Sequence, residues 1–266
     1  MRKYLIILLT LSMMLPLVAQ TITCSGSTTV LPIAQATAEA FMDKYPQINI
    51  SVRGGGSGVG IAALQNGTVD IANSSRKIKS KEISAARARG IDPRGYAVAN
   101  DGIVMIVHAS NKLKELSSQQ IRDIYTGKIK NWSQLGGENL PIVIISRDVA
   151  SGTFEVFNEK ALKNAKVDAS AQMLASNNAV VSTVTNTPGA IGYAGLGYVN
   201  NDVKVLVVDG VMPSVTTVQE GSYPFSRKLY MYTNGKANGN IAGYIGFIQG
   251  PQGQKIVEDN GFIRLD

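Results

Sequence analysis

The chain has 266 residues, 44% hydrophobic and 17% charged, which builds either one globular unit or two lobes with ample core. With Arg2 and Lys3 removed from its 26 basic residues, 24 remain against 19 acidic ones. That excess suits anionic partners and is too weak and dispersed for nucleic acid. The single cysteine, Cys24, excludes an intrachain disulfide and a cysteine-built metal site.

Residues 1–19 hold Arg2, Lys3, an apolar run over 5–17 and a small Ala19, the layout of a secretory signal peptide. Left uncleaved, the same segment would tether the protein outside the membrane. Thr21-Ile-Thr-Cys24 lacks the small residues of a lipid-attachment signal and predicts a strand carrying Cys24. Ser25-Gly-Ser-Thr-Thr29 follows as a loop. A helix over 30–45 is predicted from the apolar stripe Val30, Ile33, Ala34, Ala38, Phe41 and Met42, with Pro32 in its first turn and Pro46 ending it. Ile48, Ile50 and Val52 alternate as a strand. The glycine loop Arg53–Gly58, a helix over 59–65 and a strand marked by Val69 and Ile71 come next, with Asn73-Ser-Ser-Arg76 at that strand's end. The repeated strand, small-polar loop and helix predict an α/β lobe with a mostly parallel sheet, its loops gathered at the carboxyl ends of the strands.

Residues 97–108 read as one long strand, interrupted by Asn100-Asp101-Gly102 where the chain would cross between lobes. Ser117-Ser-Gln-Gln120 is a capping box opening a helix that ends near Gly127. Further on, strands are predicted over 141–145, 190–193, 203–208 and 229–232. Helices are predicted over 153–165, 179–185, 214–219, 241–248 and 253–259. Tyr223-Pro-Phe225 is the return crossing. The boundaries are a signal segment 1–19, one lobe of 20–100 with 225–266, and a second lobe of 101–224.

Three loops share one chemistry. Ser27-Thr28-Thr29, Ser57-Gly58 and Ser151-Gly152-Thr153 each precede a helix, offering hydroxyls and open backbone N–H groups at its positive end. Arg147 adds a forked cation to the third, and glycine lets the backbone approach a ligand closely. Ser and Thr are also ordinary helix caps, so capping and a tetrahedral-anion site both remain open on these residues. Enzyme motifs fare worse. The phosphate-loop and dinucleotide glycine patterns are absent, and Ser74-Ser-Arg-Lys77 matches Ser-x-x-Lys without its partner motifs. A serine triad could use only His108, the sole histidine, inside an apolar strand run. No cluster has metal-ligand spacing, and no cofactor is expected.

Six ordered motifs resemble a known family: 25–32, Arg53-Gly-Gly-Gly-Ser-Gly-Val-Gly60, Ser74-Ser-Arg76, 116–132, 147–153 and Thr187-Pro-Gly-Ala-Ile-Gly-Tyr193. Together they are similar to the phosphate-binding component of ATP-driven (ABC) phosphate importers, in its shorter form. The resemblance implies a periplasmic-binding-protein-like fold of type II, two α/β lobes joined by crossing strands, that closes on inorganic phosphate and delivers it to a membrane permease. It implies a non-catalytic periplasmic monomer with phosphate held by Ser27, Thr28, Thr29, Ser57, Ser75, Arg147, Ser151, Gly152 and Thr153. Arg76 and Arg53 are expected to play surface or capping roles. One departure stands out: the family's aspartate, which accepts the proton of hydrogen phosphate and repels sulfate, aligns with Ser75. Asp101 is the candidate substitute acceptor, with a turn or hinge role as its other reading; Asp70 is a weaker candidate. A receptor for sulfate or molybdate, and a secreted phosphatase or serine hydrolase, are the alternatives.

Overall fold

The computed structural model describes residues 20–265, so the expected signal segment lies outside the described residues. In chain order the elements are β1 Gln20–Gly26, α1 Leu31–Lys44, β2 Ile48–Arg53, α2 Ser57–Gln65, β3 Ile71–Ser74, α3 Ser80–Arg87, β4 Pro93–His108, β5 Glu115–Leu116 and α4 Ser118–Tyr125. There follow β6 Val143–Arg147, α5 Gly152–Lys160, β7 Gln172–Leu174, α6 Asn177–Thr185, β8 Ala190–Gly195, β9 Val203–Val205 and β10 Val207–Val208. The chain closes with α7 Val215–Gln219, β11 Ser226–Asn234, α8 Gly239–Gln249 and α9 Pro251–Asp259.

One curled sheet runs β2-β1-β3-β11-β4-β8-β6-β7, with β9 also pairing β4. Its flanks are parallel, β1 with β2 and β3, and β6 with β7 and β8, as strand–helix alternation requires. The middle is antiparallel, because β11 runs against both β3 and β4, and β4 runs against β8. β4 changes partner at Asp101: Gly102 ends its register with β11, and Ile103 begins its register with β8.

Burial explains the long apolar run of β4. Ile103, Met105 and Val107 enter a core with Trp132, Phe157 and Tyr193, while Val104 and Ile106 enter another with Ile145 and Val180. A strand covered on both faces has no polar side to alternate with. On the other side of Asp101, Val98 and Ala99 join a separate core with Ile22, Phe41, Met231 and Tyr244. In α1, Ile33, Ala34, Thr37, Ala38 and Phe41 form the buried stripe, and Pro32 sits in the first turn as expected.

The differences from expectation have local causes. α3 was not predicted because its Ser80–Arg87 sequence is mostly polar, with Ala86 its buried residue. β6 begins later than expected and contains Arg147, which therefore projects from a strand rather than a loop. α5 stops at Lys160, short of 165, and Lys163 and Asn164 follow in the left-handed region. The expected strand over 203–208 is split, β9 pairing β4 and β10 pairing β5.

Candidate oxyanion site

The ends of β1, β3 and β6 face the starts of α1, α2 and α5. Ser27 Oγ accepts the N–H of Thr29 at 3.1 Å and of Val30 at 3.3 Å, closing the turn before α1, whose own N-cap is Val30 without a side-chain cap. Ser151 is the N-cap of α5, accepting Phe154 N–H at 3.2 Å. Ser57 lies inside the first turn of α2 rather than before it, with Gly56 as N-cap at φ 99°. A side chain on Gly56 would meet the carbonyl oxygen of Ala150 at 2.7 Å, and Gly58 N–H donates to that same oxygen at 2.9 Å. The start of α2 and the turn before α5 therefore touch backbone to backbone, which glycine alone permits.

These contacts bring the sequence-predicted residues together. Ser57 Oγ accepts Ser75 N–H at 3.0 Å and lies 3.3 Å from Ser75 Oγ. A Cβ on Gly152 would collide with Ser57 Oγ and lie 2.8 Å from Ser75 Oγ, so the three share one point. Thr29 Oγ1 and Thr153 Oγ1 are 3.0 Å apart, and Arg147 Nη2 donates to Thr28 Oγ1 at 3.2 Å. All nine residues are buried.

Arg147 is anchored on three sides. Nε donates to Leu174 O at 3.0 Å, and Nη2 donates to Ala175 O at 2.9 Å as well as to Thr28. Its backbone N–H donates to Tyr193 OH at 3.1 Å, and that ring stacks on Phe157 at 3.9 Å. Nη1 is buried and has no partner among the described residues. Burial pulls the guanidinium's pKa down while Asp148 pushes it up, and an arginine remains cationic at neutral pH. A held cation with one free NH₂ group, ringed by hydroxyls, calls for an anionic acceptor.

Sequence reasoning missed three residues. Arg227, on β11, donates through Nη1 to Thr153 Oγ1 at 3.1 Å and to Ser75 O at 3.3 Å. Through Nη2 it donates to Thr29 Oγ1 at 3.3 Å. Asn177, the first residue of α6, reaches Thr28 and Thr29; its only sequence signal was a polar Ser-Asn-Asn run before a helix. Tyr198 OH donates to the carbonyl of Thr28.

Asp101 needs a correction as candidate acceptor. Its Oδ2 is taken by Arg227, at 2.8 Å from Nε and 2.7 Å from Nη2, and its Oδ1 accepts Leu196 N–H at 3.0 Å. Burial pushes this carboxyl's pKa up against the pull of Arg227. A carboxylate so engaged is not free to take a ligand's proton; it balances the buried guanidinium where β4 changes partner. Asp70 is outside the site, its Oδ2 accepting the N–H and hydroxyl of Thr23. Arg76 is not a surface residue: it is buried between Glu82, at 2.7 Å, and Glu155, at 2.8 Å. Arg53 is exposed at the end of β2.

Alongside the cradle, between segment 76–79, α5 and β11, lies a cavity of about 750 Å³ with Arg76, Lys79, Lys160 and Lys228 on its walls. His108 bonds to Ser110 at 2.8 Å, so no imidazole stands beside the site serines. Among the described residues no group of His, Cys, Asp or Glu could hold a metal ion, and no helix is long and apolar enough to cross a membrane. Cys24 is buried in β1, and burial raises its thiol pKa to about 12.

A mixed α/β fold on one curled sheet, with hydroxyls, helix starts and a buried guanidinium gathered at its strand ends, is the plan of the solute-binding receptors. Residues 16–252 match the family described as the PBP superfamily domain, and the chain belongs to that family. It is 36% identical over 247 residues to the phosphate-binding protein PstS of Bacillus subtilis, covering 91% of this chain and 80% of that one. It is 32% identical to the protein SphX of Synechococcus elongatus, covering 92% and 77%. Among solved structures it is similar to a chain from Clostridium perfringens described as a phosphate ABC transporter substrate-binding protein with bound phosphate. That match has TM-score 0.86, 34% identity and coverage of 93% and 100%. An ABC-type phosphate transport receptor from Vibrio cholerae matches at TM-score 0.76 and 28% identity, covering 91% and 99%.

Proposed function

We propose that this chain is an extracytoplasmic solute-binding protein that captures inorganic phosphate between two lobes and delivers it to the permease of an ABC importer. The lobes are 20–100 with 225–266, and 101–224. The observation that carries the reading is Arg147 Nη1, a buried, unpartnered donor pair in a cradle of hydroxyls and helix starts. Similarity to receptors named for phosphate gives the anion its identity.

The nine residues divide the work by chemistry. Arg147 supplies charge and two N–H donors. Thr28, Thr29, Ser57, Ser75 and Thr153 supply hydroxyls, Gly152 leaves room for an oxygen, and Ser27 and Ser151 hold the helix starts in place. Arg227 and Asp101 form a neutral pair behind the cradle, so the formal charge offered to the ligand is that of Arg147. Closure replaces the anion's water with fixed donors, and binding shifts the population toward the closed form. On this reading the site binds without turnover, as a monomer and without a cofactor.

Isothermal calorimetry with phosphate, sulfate and molybdate tests this directly. Saturable one-to-one phosphate binding is expected, weakened by competition only at much higher sulfate. Tighter binding of sulfate or molybdate would replace phosphate as the ligand, and hydrolysis of chromogenic phosphate esters would replace the receptor with an enzyme.

A further inference from the structure

We propose that Asn177 is a positioning residue that locks the hydroxyls of Thr28 and Thr29 as hydrogen-bond donors, and thereby makes the cradle select proton-free oxygens of its ligand. The inference rests on the phosphate-receptor reading and assigns the origin of its selectivity.

Asn177 Oδ1 accepts Gly195 N–H at 3.3 Å, which only a carbonyl oxygen can do, so the amide's NH₂ must face the threonines. Its two hydrogens go to Thr28 Oγ1 at 3.3 Å and Thr29 Oγ1 at 3.0 Å. Thr28 Oγ1 also accepts from Arg147 Nη2, which fills both its lone pairs. Its own proton has one use left, donation outward. Thr29 Oγ1 likewise accepts from Arg227 Nη2, so its proton must pass to Thr153 Oγ1, 3.0 Å away. Thr153 Oγ1 then accepts from Thr29 and from Arg227 Nη1, and its proton too points outward. The polarity of three hydroxyls on two loops thus traces to one amide and two guanidinium groups.

Arg227 spends four N–H groups on Asp101, Ser75 O, Thr153 and Thr29, and its Nη2 lies 2.7 Å from Asp101 Oδ2. Arg147 keeps both Nη1 hydrogens to give. Ser75 Oγ takes no backbone N–H and touches Ser57 Oγ, so open hydroxyl lone pairs remain there. A ligand proton would have to face Ser75, while the other ligand oxygens meet fixed donors. Losing Asn177 would free a lone pair on each of Thr28 and Thr29, letting those hydroxyls rotate and accept.

The test compares hydrogen phosphate with two dianions that carry no proton, sulfate and monofluorophosphate, by calorimetry or competition above the second ionisation of phosphate. Asn177→Ala and Asn177→Leu are each expected to weaken the proton-free dianions at least about tenfold more than phosphate, the equivalent of one net hydrogen bond. Equal losses for all three anions would make Asn177 merely structural and overturn the inference, as would wild-type protein that binds phosphate but neither dianion. If neither variant folds, neutron diffraction from the deuterated wild-type protein decides. Deuterium on Thr28 Oγ1 directed away from Asn177 and Arg147 is expected; deuterium directed at either one overturns it. Wild-type protein that binds no phosphate at all would sink the receptor reading instead.

Discussion

At the level of single residues, charge accounting separates Arg147 from Arg227, which a sequence motif cannot do. Arg147 has a free donor pair, so Arg147→Ala should weaken phosphate binding by at least ~1.5–3 kcal/mol, the range for a hydrogen bond to a charged group. Unchanged affinity in calorimetry would remove it from the site. Asp101→Asn acts differently. It leaves Arg227 buried without its counter-charge and should cost ~3–5 kcal/mol of folding stability by urea unfolding, the penalty for breaking a buried pair. A stability loss below ~1 kcal/mol would mean that the pair does not act as a buried ion pair. Arg147 was legible because it stands four residues before Ser151, in one contiguous motif. Arg227 was not, because its partner Asp101 is 126 residues away and only the pairing of β11 with β4 joins them.

At the level of elements, the three helix starts were legible because glycine and hydroxyl residues at a strand-to-helix turn have few other uses. Their division of labour was not: Ser151 caps α5, Ser27 closes the turn before α1 without capping it, and Ser57 sits inside the first turn of α2. α3 shows the opposite limit. With Ala86 as its only buried residue, it leaves no apolar period to read, and its hold on the fold is ionic. Burial alone would raise the pKa of Glu82, but Arg76 and the Lys79 N–H at 2.8 Å together hold it below the ordinary carboxylate value. A depressed carboxylate contributes stability that is present above its unfolded pKa and lost as pH falls through its folded one. Thermal melts of wild-type protein and Glu82→Gln should therefore differ at neutral pH and converge in acid, below the ordinary glutamate range. Parallel curves across that range would remove Glu82 from the acid response.

At the level of the whole molecule, the mixed α/β plan was legible because strand–helix alternation and one unusually long apolar strand both constrain topology. What held the parts against each other was not, since those contacts are made by side chains from distant segments. Glu155, on α5, meets Arg76 at 2.8 Å and also Lys79, both from the segment after β3. Arg76 is simultaneously held by Glu82, so an ionic chain joins α3 to α5 across the cradle's edge. If segments 20–100 and 101–224 separate on opening, this chain must break at Glu155, because Arg76, Lys79 and Glu82 all lie on one side. The pair then favours the closed form without touching the ligand, and its loss acts through the closed fraction, which multiplies apparent affinity. Glu155→Gln keeps the side chain's size and removes its charge. It should weaken phosphate about fivefold, roughly 1 kcal/mol for a partly exposed ion pair, chiefly through faster dissociation. High salt should narrow the difference from wild type by screening the ion pair. Stopped-flow dissociation and solution scattering of the ligand-free protein would measure both sides of the argument. A variant with wild-type dissociation and an unchanged radius of gyration would show that Glu155 only decorates the edge of the cradle.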